Sequence, residues 1–330
     1  MARLFMQRAS LALMLSLSAV GVAALSPVHA EPPAQQQNQV PGYYRMAVGE
    51  FEVTALYDGY VDLPPQLLSG IAEDDIQSLL ARMFLETTPG VQTAVNAYLV
   101  HTGSRLVLVD AGAGGAFGPT LGGIAENIRA AGYDPAQVDT VLLTHLHGDH
   151  AAGLLAADGQ AAFPNAEVWA AQEDAAYWLD EAIAAQAPEE AQGFFKMARE
   201  SVAPYVAADR FKTFAQDEEI LPGVTAVSLF GHTPGHSGFL VASEDQTLLI
   251  WGDVIHSHAV QFARPEVVIE FDTDKEAALA TRKRILEEAA RDRLAIAGAH
   301  LPFPGIGHVR NEGQGYAWVP VEFGPYRRAQ

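Results

Sequence analysis

The feature that most constrains this chain is one segment of seven residues, Thr144-His145-Leu146-His147-Gly148-Asp149-His150. It follows an apolar run at about 138–144 that predicts a buried strand. His145 and His147 are two residues apart, and because side chains in an extended chain repeat every second residue, both imidazoles can face one point. Gly148 permits a sharp turn, so the aspartate and histidine after it diverge from the first pair and can serve a second ion. Polar clusters of this kind are seldom left without a partner, so the segment predicts a two-metal site rather than chance surface histidines.

Further metal-binding side chains are expected, because four protein ligands cannot fill two divalent sites. Three segments supply them, and each follows an apolar, strand-like run: Gly231-His232-Thr233-Pro234-Gly235-His236, Gly252-Asp253 and Gly298-Ala299-His300. Loops that carry function in α/β sheets lie just past the carboxyl ends of strands. The chain has no cysteine, so the ligands must be histidine and carboxylate.

The rest of the chain alternates strand and helix patterns. Asp58-Gly59 and Thr102-Gly103 are turn signals between antiparallel strands, and Thr273-Asp274-Lys275-Glu276 is a capping box that starts a helix. The predicted strands are 51–57, 94–101, 105–109, 138–144, 224–229, 237–242, 247–251 and 293–297, and the predicted helices are 119–131, 173–208 and 273–290. Both halves mix sheet and helix in similar order, which predicts an α/β layer architecture with mixed sheets covered by helices.

The first thirty residues have the pattern of an export signal. Two arginines precede an apolar stretch at about 11–25, and small residues precede the expected cleavage site after Ala30. A membrane anchor is the weaker alternative, because the stretch is short and is interrupted by serines. We therefore expect a signal peptide at 1–30, a flexible Pro/Gln-rich segment at 31–41 and one domain at 42–330. The mature protein would be periplasmic or secreted, with no membrane segment.

The charge of the chain excludes one class of partner. The sequence has 20 basic and 40 acidic residues, and loss of the two leader arginines would take the net charge from −20 to −22. Nucleic-acid binding needs a basic groove, so a nuclease function is not expected. We expect a small, neutral ester as the substrate.

The ordered set of candidate ligands resembles that of the metallo-β-lactamase superfamily: His145, His147, Asp149, His150, His232, Asp253 and His300. Within the superfamily the chain is similar to the methyl parathion hydrolase group. That narrower resemblance depends on longer runs at 117–122, 231–236 and 300–308, and it covers nearly all of the mature chain. It implies an αββα sandwich of two mixed β-sheets flanked by helices, and it implies a homodimer.

The resemblance also implies a role for each candidate ligand. One metal would be held by His145, His147 and His232, the other by Asp149, His150 and His300, and Asp253 would bridge the two. Asp110 resembles the family's aspartate that steadies the histidine loop without binding metal. We expect two divalent ions per chain, with zinc favoured and manganese, iron or cobalt acceptable. A hydroxide that bridges them would be the nucleophile.

Aromatic residues predict the character of the substrate pocket. Phe117, Trp178 and Phe195 lie in segments that line an aryl-binding pocket in the relatives that the chain resembles. Core packing is the equal alternative for each of the three, because aromatic residues in helices are usually buried. Trp251 precedes a ligand within a strand, and we expect it to pack in the core.

His256 and His236 lie close in sequence to predicted ligands, and we expect them to have different roles. His256 lies three residues after Asp253, at a position where the organophosphate-cleaving relatives carry an aliphatic residue. We expect His256 to reach the pocket wall and to act with Asp253 in catalysis, because proton donation to a leaving oxygen favours lactone opening. His236 is expected to form structural hydrogen bonds rather than to bind metal.

These features favour a dinuclear metal-dependent hydrolase of lactones or aryl esters, with phosphotriester cleavage as a related activity. No Gly-x-Ser-x-Gly segment supports a serine nucleophile. A β-lactamase is the alternative enzyme, favoured by the superfamily and by export. A non-enzymatic periplasmic metal-binding protein is the alternative from another class, and a closed metal coordination would favour it.

Overall fold

The computed structural model describes residues 33–37 and 39–326, so the predicted signal peptide at 1–30 lies outside the described residues. A boundary between two units falls after Gln39, and every described helix and strand lies in the unit that starts at Val40. No helix among the described residues is long and apolar enough to cross a membrane. The flexible segment at 31–41 and the single domain at 42–330 stay predictions.

The described residues form sixteen strands and seven α-helices. The strands are β1 Tyr43–Val48, β2 Phe51–Leu63, β3 Leu68–Ser69, β4 Val91–His101, β5 Leu106–Val109, β6 Thr140–Leu142, β7 Glu167–Ala171, β8 Phe211–Phe214, β9 Glu219–Leu221, β10 Val224–Ser228, β11 Ser237–Ser243, β12 Gln246–Ile250, β13 Val268–Ile269, β14 Ala295–Ala297, β15 Ile306–Asn311 and β16 Tyr316–Pro320. The helices are α1 Glu73–Arg82, α2 Ile124–Ala130, α3 Gly148–Ala151, α4 Gln172–Trp178, α5 Glu181–Gln186, α6 Glu189–Ala207 and α7 Lys275–Asp292.

Fourteen of the strands form two seven-stranded sheets. The first sheet has the order β1-β2-β4-β5-β6-β7-β8, and the second has the order β16-β15-β14-β12-β11-β10-β9. Strands β5 to β8 pair in parallel, as do β12 and β14, and the other pairs in these two sheets are antiparallel. Both sheets are therefore mixed, as the sequence predicts.

Alternating side chains place the two sheets face to face. In β4, Tyr98 and Val100 belong to a core cluster that also contains Phe239 and Ile250 of the second sheet. Leu99, between them, belongs to a different cluster on the outer face of the first sheet, which α6 covers. Helix α7 covers the outer face of the second sheet in the same way. Because strand side chains alternate between faces, this arrangement gives four layers, and the predicted αββα sandwich is confirmed.

One predicted turn is wrong. Thr102-Gly103 does connect β4 to β5, but Asp58-Gly59 lies inside β2, where the pairing with β4 shifts register. The Asp58 carboxylate accepts hydrogen bonds from the backbone N–H groups of Ala113 and Ile124, and a Cβ on Gly59 would overlap the backbone of Thr120. The pair forms a bulge in β2. Aspartate and glycine occur here because Asp58 binds backbone N–H groups and Gly59 leaves room for the loop at Thr120, and not because the chain turns.

Two predicted helix starts also move. The cap of α7 is Asp274, whose side chain accepts from Ala277 N, and not Thr273. The helix predicted at 119–131 begins only at Ile124. The helical region at 173–208 is three helices, because Asp180 caps α5 and Pro188 precedes α6.

Candidate metal centre

The histidine segment begins two residues after β6 and runs into the four-residue helix α3. His147 is extended and caps α3, so His145 and His147 precede the helix while Asp149 and His150 lie within it. Gly148 starts α3, and its lack of a Cβ leaves room for a neighbouring side chain. A Cβ there would overlap Met197 of α6, so glycine permits close packing of the two helices.

Asp110 holds this segment from the end of β5. Its carboxylate accepts a hydrogen bond from Thr144 N at 2.8 Å, and its Oδ2 lies 2.9 Å from His150 Nδ1. The bond to Nδ1 turns Nε2 of His150 towards the centre of the site. This contact agrees with the steadying role that the family resemblance implies.

A first group of possible ligands comes from two loops, one from each sheet. His145, His147 and His232 place one nitrogen each within 4.8 Å of the others. His232 lies in the loop after β10, and its Nε2 is 3.0 Å from His147 Nδ1. Two imidazole nitrogens at this separation suit a shared cation.

A second group joins the histidine segment to two more loops. It consists of Asp149, His150, Asp253 and His300, with Asp253 after β12 and His300 after β14. Asp253 Oδ1 lies 3.2 Å from His150 Nε2, and Asp253 Oδ2 lies 3.1 Å from His300 Nε2. His232 Nε2, from the first group, is 3.3 Å from the same Oδ2. Asp253 thus contacts both groups, as a bridging carboxylate must.

The residues fit two divalent cations chemically. The buried atoms without a hydrogen-bond partner among the described residues include three of these possible ligands: His145 Nε2, His150 Nε2 and Asp253 Oδ1. Buried polar atoms without partners are rare and costly, and these three point into the same space. Imidazole and carboxylate together suit zinc and its first-row neighbours.

Burial and charge set the protonation of the cluster. Burial lowers the pKa of His145 and of His147 well below the usual histidine range, so both rings are neutral at pH 7 and offer a lone pair. Burial opposes ionisation of Asp253, but His150 and the other histidines outweigh it and hold the Asp253 pKa well below its usual value. Asp253 is therefore ionised at pH 7.

Two aspartates that the sequence analysis missed also hold these loops. Asp272 Oδ1 lies 2.9 Å from His232 Nδ1, and Arg282 Nη2 lies 3.6 Å from Asp272 Oδ2. Asp174, in the first turn of α4, accepts backbone hydrogen bonds from the loops that contain His147 and His232. Burial raises the Asp174 pKa to about 6. Asp174 falls inside the predicted helical region, and no local pattern distinguishes either carboxylate from a surface acid.

His256 lies against the candidate ligands as well as at the pocket wall. Its Nε2 is 3.1 Å from Asp253 Oδ2, and its ring stacks on His300 with centroids 5.1 Å apart. Nδ1 is buried and has no hydrogen-bond partner among the described residues. Burial lowers the His256 pKa to about 4, so the ring is neutral at pH 7 and holds one N–H. With His232 and Asp253 it forms a third group of possible metal ligands.

A cavity of about 560 Å³ opens beside the cluster. All three predicted aromatic residues line it, and Trp178 packs edge-on against His147 with centroids 5.1 Å apart. Trp178 and Phe195 also belong to the core, whereas Phe117 is 41% exposed. Core packing and pocket lining are therefore compatible. Among the described lining residues none is lysine or arginine.

His236 and Trp251 are expected to be structural, and both are buried with contacts inside the protein. His236 Nδ1 donates to Leu229 O at 2.8 Å, and its Nε2 accepts from Asp253 N at 3.0 Å. His236 therefore fixes the start of the loop that carries Asp253. Trp251 is fully buried in the core cluster under α7.

Comparison with known proteins gives the chain a family. A family model described as the metallo-beta-lactamase superfamily matches residues 90–316. Curated relatives include an N-acyl homoserine lactonase of Bacillus cereus, 25% identical over 179 residues, which are 54% of this chain and 61% of the relative. A second, from Bacillus sp, is 26% identical over 182 residues, with the same coverage. The chain thus spans about six tenths of the length of these curated relatives.

Solved structures of similar proteins cover more of the chain. The hydrolase AbOPH of the beta lactamase superfamily is 41% identical, with a TM-score of 0.84 over 87% of this chain and 100% of that one. AidC, a dizinc quorum-quenching lactonase in complex with a product, is 24% identical, with a TM-score of 0.79 over 86% of this chain and 99% of that one. The second likeness concerns the fold alone. The narrower resemblance to methyl parathion hydrolases stays a prediction.

Proposed function

The chain belongs to the metallo-β-lactamase superfamily, and on that premise we propose that it is a dinuclear metal-dependent hydrolase of neutral esters. Lactones and aryl esters are the leading substrates, and phosphotriesters are secondary ones. One observation carries the proposal. Histidine and carboxylate atoms from four loops of two sheets converge, partly without hydrogen-bond partners, beside an aromatic cavity.

The proposed ligand sets follow the two groups in the structure. The first metal would be held by His145, His147 and His232, the second by Asp149, His150 and His300, with Asp253 shared. The 3.3 Å and 3.2 Å contacts of Asp253 with one histidine of each set support the shared role. Zinc is the metal we favour.

Two divalent ions, when bound, would lower the pKa of a shared water towards neutrality and polarise the substrate oxygen. The chain's own residues do the rest. His145 and His147 are held neutral by burial and are ready to bind, and Asp253 is held as a carboxylate. His256 lines the cavity beside Asp253, so its imidazole would lie next to a bound substrate.

The cavity supports a neutral, partly aromatic substrate. Phe117, Trp178 and Phe195 offer apolar ring surface, and the described lining has no lysine or arginine to receive a carboxylate. The carboxylate of a β-lactam would therefore lack a cationic partner in this lining, which argues against β-lactamase activity. The lactonase relatives support a lactone as the ester. Export to the periplasm and homodimer formation stay predictions from the sequence.

A kinetic panel tests the proposal. The protein, loaded with zinc, would be assayed on a lactone, an aryl ester, a phosphotriester and a chromogenic cephalosporin. We expect the largest kcat/KM on the lactone or the aryl ester, with metal content of about two per chain. Turnover of the cephalosporin above that of both esters would favour the β-lactamase alternative. Two bound metals with no turnover of any substrate would favour a metal-binding protein.

A further inference from the structure

Asp174 lies where helix α4, the histidine segment and the loop of His232 meet. It is fully buried in the first turn of α4, and it has no contact with the cavity. Its Oδ2 accepts a hydrogen bond from Leu146 N at 2.8 Å, and its Oδ1 accepts one from Gly235 N at 2.8 Å. Leu146 lies between His145 and His147, and Gly235 lies in the loop of His232.

From this geometry we propose that Asp174 is a positioning residue that fixes the spacing between the two loops of the first metal site. Each oxygen of its carboxylate is used by one loop, so the two loops are tied through a single rigid group. A carboxylate accepts such charge-assisted bonds more strongly than a neutral amide does. The proposal rests on the two-metal function proposed above.

Close packing around Asp174 supports the assignment. A Cβ on Gly235 would overlap the backbone nitrogen of Asp174 and would lie 2.9 Å from its Cβ, so glycine is needed for the loop to approach α4. The same helix ends at Trp178, whose ring packs against His147. Asp174 therefore also ties one wall of the cavity to the first metal site.

The second metal site has its own support. Its histidines are held by Asp110 at His150 Nδ1 and by the backbone oxygen of Ala94 at His300 Nδ1. Neither contact passes through Asp174. Loss of the Asp174 carboxylate should thus weaken one site selectively, which a general loss of stability would not do.

The test compares wild type, Asp174→Asn and the control Glu173→Gln in metal-competition titrations with a chromophoric chelator. Glu173 is exposed on the same helix turn and does not line the cavity. In Asp174→Asn the amide NH₂ must face one of the two backbone N–H groups. We expect affinity for the more affected metal to fall about tenfold to a hundredfold, with less than about a twofold change in the other. Visible spectra of the cobalt-loaded proteins would identify the affected site as the histidine-rich one. Glu173→Gln should bind both metals as wild type does.

Three outcomes would overturn the proposal. In the first, Asp174→Asn retains wild-type affinity at both sites while wild type binds two metals, which leaves the proposed function intact. In the second, both affinities fall equally and in step with the thermal midpoint, which indicates a structural role only. In the third, wild type binds fewer than two metals, and the proposed function then falls as well. Should Asp174→Asn not fold, Asp174→Glu keeps the charge but displaces it by one methylene, and the same selective loss is expected.

Discussion

His256 Nε2 lies 3.1 Å from Asp253 Oδ2, the same oxygen that lies 3.3 Å from His232 Nε2 and 3.1 Å from His300 Nε2. A histidine that lines the cavity therefore touches the group that would join the two metals. Changes at His256 should affect the substrate preference through the cavity and the chemistry through Asp253.

His256→Leu should lower kcat/KM for a lactone by about tenfold or more and leave that for a phosphotriester equal or higher. The leucine removes a polar ring from the cavity wall, and a polar contact matters more to a poor alkoxide leaving group than to a nitrophenolate. It also enlarges the apolar part of the cavity. The measurement is the ratio of the two kcat/KM values in both proteins. An unchanged ratio would mean that His256 has no part in substrate choice.

Asp253→Ala should remove metal and activity together. The change leaves two cations facing each other without the carboxylate between them, and it leaves His150 and His300 without their partner. Elemental analysis should find clearly fewer than two metals per chain, with kcat reduced by about a hundredfold or more. A variant with two metals and near-normal turnover would show that the bridge is misassigned. Asp245→Ala, at a surface turn, is the control.

Asp272→Asn should destabilise the metal-free protein in a defined pH window. Burial opposes protonation of His232, but Asp253 and Asp272 outweigh it and raise its pKa to about 9. Burial opposes ionisation of Asp272, but His232 outweighs it and lowers the Asp272 pKa to about 2. The raised histidine pKa contributes stability below about pH 6.5 that is lost as the pH rises through 9. The lowered aspartate pKa contributes stability above about pH 4 that is lost as the pH falls through 2.

The window of greatest loss is therefore about pH 4 to 6.5. Denaturant unfolding of metal-free protein should show a loss of about 2 kcal/mol at pH 6 and a smaller one at pH 10. Glu276→Gln, at an exposed position of α7, serves as the control. Equal destabilisation at the two pH values would contradict the charged His232–Asp272 pair.

Phe117→Ala should raise KM for an aryl ester by about two- to tenfold with little change in stability. Phe117 lines the cavity and is 41% exposed, so its truncation removes ring contact with the substrate without opening a core void. Phe84→Ala is the matched control, because Phe84 is 94% exposed and does not line the cavity. Equal KM values for wild type and Phe117→Ala would remove Phe117 from the pocket.

The sequence predicts the site well where chemistry and strand ends coincide. His145, His147, His232 and His300 all lie in loops that follow apolar strands, so periodicity alone locates them at one edge of the sheets. Asp174 could not be found this way. Its partners lie 28 and 61 positions away, and the pattern of a helix turn does not show which loop will pack on it. The bulge at Asp58 could not be predicted for the same reason, because its contacts with Ala113 and Ile124 are distant in sequence.

Both sheets contribute residues to the candidate metal centre. The loops after β5 and β6 of the first sheet supply Asp110 and the histidine segment. The loops after β10, β12 and β14 of the second sheet supply His232, Asp253 and His300. Any ion shared between the loops of the two sheets is a cross-link between the N-terminal and C-terminal halves of a chain that has no cysteine. Its binding energy adds to the free energy of unfolding, since ions that bind only the assembled centre stabilise it by mass action. Chelation would act on this protein as reduction acts on a disulfide-bonded one, and resistance to unfolding would follow the free metal concentration around it.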